Sequence, residues 1–329
     1  MYLGIEIGGT KLQLGVGDGV RPQFEALERL SIEPARGAEG ILEQIRSAGA
    51  ELVRRFDIER VGFGFGGPVD GAAGRVITSH QIDGWTGFEL VDWVQESLGR
   101  PAVLGNDCDC AALAEARYGA GQGERTVFYV TVGTGVGGGL VIDGHVHGAD
   151  RPAAAEIGHL RPGLFADDPH STVESLVSGW GIAATARVCL LNEPQRPLDR
   201  LLPEGRPALS ESDADDLRKR CGGNVESLTT LMIGEAAAAG NHGAREILRT
   251  AAHTLGWAVA QVTSILAPNV VIIGGGVSLV GEELFLNPVR EAVARYAFPP
   301  LKDSVRLTSP KLGEEVVVHG AIALGSHGR

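Results

Sequence analysis

The sequence predicts an α/β fold of two lobes. Three observations carry that expectation. Strand-like and helix-like segments alternate along much of the chain. Two glycine turns of one design, Gly8-Gly9-Thr10-Lys11 and Gly133-Thr134-Gly135-Val136-Gly137-Gly138-Gly139, recur about 125 residues apart, roughly one domain's length. Each turn sits between two strand-like segments. Glycine lets backbone N–H groups approach phosphate oxygens with no Cβ in the way, and Thr10 or Thr134 can add a hydroxyl donor. A single turn of this kind can simply close a hairpin, whereas two matched copies point to phosphate.

Taken in order, Leu3, Ile5 and Ile7 alternate before the first turn and Leu12, Leu14 and Val16 after it, which predicts a hairpin with one buried face. A helix follows over Ile41 to Phe56, then a strand over Val61 to Phe65 and the turn Gly66-Gly67-Pro68. A second helix runs from Glu89 to Leu98 and is closed by Gly99. The strand Ala102 to Gly105 leads through Asn106-Asp107 into a helix over Ala111 to Tyr118. Val127 to Val132 reads as a central strand, and Leu140 to Ile142 returns from the second turn. Beyond a polar loop, the section from Val173 to Leu266 is mostly helical, interrupted by a Pro-rich, charged stretch from the 190s to Asp216 that reads as a surface insertion. Val270 to Ile273 is a buried strand ending in Gly274-Gly275-Gly276. Val316 to Gly320 and the small residues behind it are expected to form a last strand and helix.

At 329 residues with 43% hydrophobic content, the chain can build a large core, which excludes disorder. A formal net charge of -12 argues against nucleic acid as a partner, because phosphate-backbone binders carry basic stripes. No apolar run reaches the roughly 20 residues of a membrane span. A core strand begins within a few residues of Met1, so neither a secretory signal nor a preceding DNA-binding module is expected, and the location expected is cytoplasmic. Cys108, Cys110, Cys189 and Cys221 are few and scattered, which fits reduced thiols, with Cys108 and Cys110 as core residues of a helix.

Asp107 stands where a strand ends and a helix begins, the place at which open α/β sheets put reactive groups. It can equally be the N-cap of that helix. Glu156 and His159, at i and i+3, can share one face of a helical turn, as a local hydrogen-bonded pair would.

The turn Gly8 to Lys11, the Gly64 to Asp70 segment, Asn106-Asp107, the Gly133 to Gly139 turn, Glu156-Ile157-Gly158-His159, Glu174 with Ser178-Gly179, and Gly274 to Ser278 follow one another in a familiar order. From Leu3 to about Leu324 the chain resembles the ROK family of sugar kinases and sugar-responsive repressors. That resemblance implies a two-lobed actin-like, ribonuclease H-like ATPase fold with a cleft between lobes, the small lobe being residues 1–115 plus 316–329 and the large lobe 116–315. It implies ATP-dependent phosphorylation of a hexose, glucose at C6 first, with N-acetylglucosamine, N-acetylmannosamine and fructose open. Asp107 would be the general base; Asn106, Asp107, Glu156, His159 and Glu174 would contact the sugar. ATP would lie on Gly8, Gly9, Thr10, Lys11, Gly133, Thr134, Gly135 and Gly137, with Gly275 and Gly276 at the adenosine. Glu6 would help hold hydrated Mg²⁺, in place of the more common Asp. A homo-oligomer, dimer or tetramer, is expected. The alternative is a sugar sensor of the same family without catalysis. One departure stands out: where most members carry a cysteine loop for structural zinc, this chain reads Leu160 to Thr172 with no cysteine, so zinc is not expected, although Asp167, Asp168 and His170 lie there.

Overall fold

Burial of two alternating apolar sets builds the predicted first hairpin, β1 (Tyr2–Ile7) and β2 (Lys11–Gly17), with Leu3, Ile5, Leu12, Leu14 and Val16 fully buried. In this computed structural model, residues 1–79, 81–149, 151, 153–163, 170–191 and 207–327 are described. Next come β3 (Ala26–Ser31), α1 (Gly37–Arg55), β4 (Arg60–Phe65), the short ribbon β5 (Val69–Asp70) and β6 (Arg75–Val76), and α2 (Leu90–Leu98). β7 (Ala102–Asn106) and α3 (Asp107–Tyr118) precede β8 (Thr126–Val132), β9 (Val136–Ile142) and β10 (His145–Val146). The helices α4 (Val173–Val177), α5 (Gly179–Leu191), α6 (Glu211–Arg220), α7 (Thr230–Ala238) and α8 (His242–Leu266) follow. The chain closes with β11 (Val270–Gly274), α9 (Asn287–Tyr296), β12 (Arg306–Thr308) and α10 (Val316–Ser326).

Two compact units result: Met1–Tyr129 with Gly138–Ala155 and Pro310–Arg329, and Val130–Gly137 with Glu156–Ser309. The first contains a five-stranded sheet in the order β3-β2-β1-β4-β7. β1, β2 and β3 pair antiparallel, while β4 and β7 run parallel to β1, and the register sets Ile7 beside Phe65 and Phe65 beside Asn106. Three carboxyl ends therefore finish level. One face of this sheet packs on α1 and α2 through Ile41, Ile45, Leu52, Leu90 and Val94.

The other face is also buried, which corrects the expectation of a hairpin with one buried side. Gly4 lies under α10, where a Cβ would stand 2.6 Å from the Val318 carbonyl oxygen, and a Cβ on Gly62 would overlap that of Ala321. A helix thus seats directly on glycine-floored strands. This is the helix formed by Val316 to Gly320, which was expected to begin as a strand. Its run of three valines has a β-like composition, yet both sides of the segment are enclosed, and Val316, Val318, His319 and Gly320 are all buried within a helix.

In the second unit, the 25-residue helix α8 is capped by Asn241, whose side chain accepts from the Ala244 N–H, and it packs along α9. β11 is buried throughout and pairs parallel with β12. Of the expected surface insertion, residues 192–206 lie outside the described residues, and its end is the helix α6, capped by Ser210. Among the described residues no helix is long and apolar enough to cross a membrane, and the four cysteines form no disulfide.

Candidate active site

The level ends of β1, β4 and β7 bring three predicted features together within the first unit. Gly8 N–H donates to the Lys11 carbonyl (3.0 Å) and closes the first glycine turn, while Gly66 N–H donates to the Ile7 carbonyl (2.9 Å). A Cβ on Gly66 would stand 3.7 Å from Gly8 Cα and 3.6 Å from Asp107 Oδ2, so turn, strand tip and carboxylate share one small region. Thr10 is exposed at the crest of the turn. Gly9 lies against the side chain of Gln81.

The N-cap of α3 is Asn106, not Asp107. Asn106 Oδ1 accepts from the Cys108 N–H at 2.8 Å, and its amide nitrogen donates to the Gly67 carbonyl at 3.0 Å. Asp107 is the first helical residue; its Oδ1 shares the Cys108 N–H at 2.8 Å, while Oδ2 is the oxygen beside Gly66. Burial pushes the Asp107 carboxyl above the usual carboxylate range, opposed by the Cys108 N–H. A more basic carboxylate is a better proton acceptor near neutral pH. Cys110, one turn along α3, is buried and its thiol is pushed up by the same cause, which makes it a core thiol.

Glu6 is 6% exposed on β1. Its cross-strand partner Gln13 donates from Nε2 to Oε2 at 2.9 Å, and Lys11 Nζ lies 3.4 Å from Oε1. Burial raises the Glu6 carboxyl to about 7; Lys11 lowers it, the Asp107 charge raises it, and Gln13 lowers it. Lys11 also donates to the Glu314 carbonyl (3.2 Å), so it is turned toward the strand face. A buried carboxylate whose ionised form is this disfavoured suits a nearby cation. Mg²⁺ keeps most of its waters and needs only one or two carboxylates besides substrate phosphates, so Glu6 fits the magnesium role.

Within the second unit, the turn Gly133–Gly135 is held at each end. Gly133 N–H donates to the Gly135 carbonyl at 2.9 Å, and Gly179 N–H, at the start of α5, donates to the Gly133 carbonyl at 2.8 Å. Val136 N–H donates to Glu174 Oε2 at 2.8 Å. Gly137 follows as the second residue of β9. Glu174 is on α4, whose N-cap Thr172 forms a capping box with Ser175. Glu156 precedes a 3-10 turn over Ile157–His159, and both Glu156 and His159 are exposed. The Leu160 carbonyl accepts from the Val173 N–H at 2.8 Å, joining the end of that turn to the start of α4. Asp167 and Asp168 lie outside the described residues.

Gly275 has a φ of 87°, which favours glycine, and it presses on the backbone of Val132. Gly276 opens onto a cavity of about 910 Å³ that Gly133 and Thr134 also line. Its walls come from α5, α7 and the turn after β11, and they include Trp180, Leu231 and Leu279, exposed by 49%, 72% and 82%. Exposed apolar side chains around a cavity floored by glycines suit a flat base and ribose. The Arg187 guanidinium donates to the carbonyls of Val225, Glu226 and Leu228, so on this wall it fastens a loop. Sequence reasoning missed Trp180, Leu231 and Leu279; the available signal was a tryptophan directly after Ser178-Gly179.

The ROK family model matches residues 2–327. A glucokinase from Halalkalibacterium halodurans is 29% identical over 332 residues, covering 97% of this chain and 93% of that protein. An N-acetyl-D-glucosamine kinase from Photobacterium profundum is 27% identical over 329 residues, covering 98% and 99%. Among solved structures, a ROK family glucokinase from Streptomyces griseus in complex with glucose and AMPPNP is 31% identical, covers 99% of both chains and superposes with a TM-score of 0.78. With a match that runs through both compact units, the chain belongs to the ROK family.

Proposed function

We propose that the chain is an ATP-dependent sugar kinase that phosphorylates a hexose, glucose at C6 being the leading candidate, with Asp107 as general base. The observation that carries this reading is Asp107 itself: a carboxylate of raised basicity, held at a strand tip beside the first glycine turn, with Oδ2 beside Gly66. In this reading the primary hydroxyl donates to Asp107. As its oxygen bonds to the γ-phosphorus, the proton passes to the carboxylate and the bond to the β-phosphate oxygen breaks, releasing ADP. In the turns Gly8 to Lys11 and Gly133 to Gly139, backbone N–H groups other than those of Gly8, Gly133 and Val136, which already have partners, are the phosphate ligands. Trp180, Leu231 and Leu279 enclose the adenosine beside Gly275 and Gly276. Asn106 orients the sugar near the base, and Glu156, His159 and Glu174 take further hydroxyls. Mg²⁺, held through Glu6, neutralises charge on the phosphates when bound.

A coupled ADP-release assay over glucose, fructose, mannose, N-acetylglucosamine and N-acetylmannosamine tests the substrate, with glucose expected to give the highest kcat/KM. Asp107→Asn should lower kcat by about 10²–10⁴-fold, the usual contribution of a positioned base, while glucose binding by calorimetry changes little. Turnover near wild type in that variant would remove Asp107 from the role. Sugar binding without phosphorylation of any member of the panel would favour a sensor instead.

A further inference from the structure

One residue, Val136, joins the second glycine turn to the segments assigned to the sugar. Its N–H donates to Glu174 Oε2 at 2.8 Å. Its carbonyl oxygen lies where a Cβ on Gly158 would overlap it, so the backbone between Glu156 and His159 rests directly on Val136. One residue earlier, a Cβ on Gly135 would stand 2.7 Å from the same Glu174 oxygen. The turn is tied a second time by the Gly179 N–H to the Gly133 carbonyl, and Gly179 follows Ser178, whose own N–H is bonded to the Glu174 carbonyl at 3.0 Å. Both ties on this phosphate turn therefore trace back to Glu174 and the joint that ends its helix.

We propose that Glu174 is a positioning residue for the nucleotide turn as well as a sugar contact, and that through Val136 it couples sugar binding to triphosphate binding. This rests on the kinase reading and deepens it. A charge-assisted bond from a carboxylate to a backbone N–H fixes the turn in one conformation. Sugar hydroxyls donating to the same carboxylate hold it in that rotamer, so the turn is already ordered when the triphosphate arrives. Ordering done by the first ligand is not repeated for the second, and the effect is reciprocal.

Calorimetry on the full chain reads this directly, using glucose and AMPPNP with Mg²⁺, each alone and each in the presence of the other. In the wild type, either ligand should tighten the other by about tenfold, within the usual range for coupled sites. Glu174→Ala should weaken AMPPNP by about tenfold with no sugar present, whereas Glu174→Gln, whose amide oxygen can still accept from Val136, should keep most of that affinity. Gly135→Ala, whose Cβ crowds the carboxylate, should weaken glucose with no nucleotide present. If Glu174→Ala loses glucose but binds AMPPNP as the wild type does, or if wild-type coupling is absent or negative, the inference falls and the kinase reading stands. If the wild type binds neither ligand, the kinase reading itself falls.

Discussion

Glu6 shows how burial changes the chemistry of a carboxylate. Gln13 on β2 holds one oxygen and Lys11 approaches the other, and burial lifts the carboxyl from 4.5 to about 7. The native state therefore holds this proton more tightly than the unfolded chain. The associated stability is full below the unfolded value and is lost as pH rises through about 7. At pH 8 in metal-free buffer the ionised side chain is a burden of about 3 kcal/mol. Glu6→Gln should match the wild type in urea denaturation at pH 4 and exceed it at pH 8 by about 2–3 kcal/mol. Equal midpoints at both pH values would show that the carboxylate is not strained. The Asn106-Asp107 pair was legible in the sequence as a strand-to-helix junction, but its division of labour was not. Either residue can cap a helix, and only the Gly67 carbonyl, contributed by another loop, selects Asn106 for that work.

At the level of elements, α3 does more than present Asp107. Glu115, fully buried near its end, accepts from the N–H groups of Lys311 and Leu312 at 2.8 and 2.9 Å through one oxygen and from Ala120 at 2.7 Å through the other. It thereby anchors the segment that leads into α10, the helix lying across the glycine face of the first sheet. Glu115→Ala would strand these donors and should lower unfolding stability by about 2–4 kcal/mol, read from denaturant midpoints. A loss below about 1 kcal/mol would show that water replaces the carboxylate. The helices α1 and α2 were readable because their apolar spacing and the glycine closing α2 are local signals; Gly99 indeed has a left-handed φ of 64°. α10 was misread at its start because its helical state depends on enclosure by α3, β1 and β4, which outweighs the β preference of three valines.

Over the whole molecule, ligand coupling has a thermodynamic consequence apart from catalysis. Each ligand that binds only the native state adds stability according to its own saturation. If glucose and AMPPNP tighten one another tenfold, their joint stabilisation should exceed the sum of the separate effects by about 1.4 kcal/mol. Thermal unfolding with each ligand and with both measures that excess, and strict additivity would contradict the coupling. The α/β class, the order of the main elements and the two glycine turns were all present in the linear sequence, because periodicity and turn chemistry are written over a few consecutive residues. Tertiary structure alone decided which donors each carboxylate meets. Glu174 finds Val136 across 38 positions and Glu115 finds Lys311 across 196, and no local pattern encodes partners brought together only by the burial of a shared core.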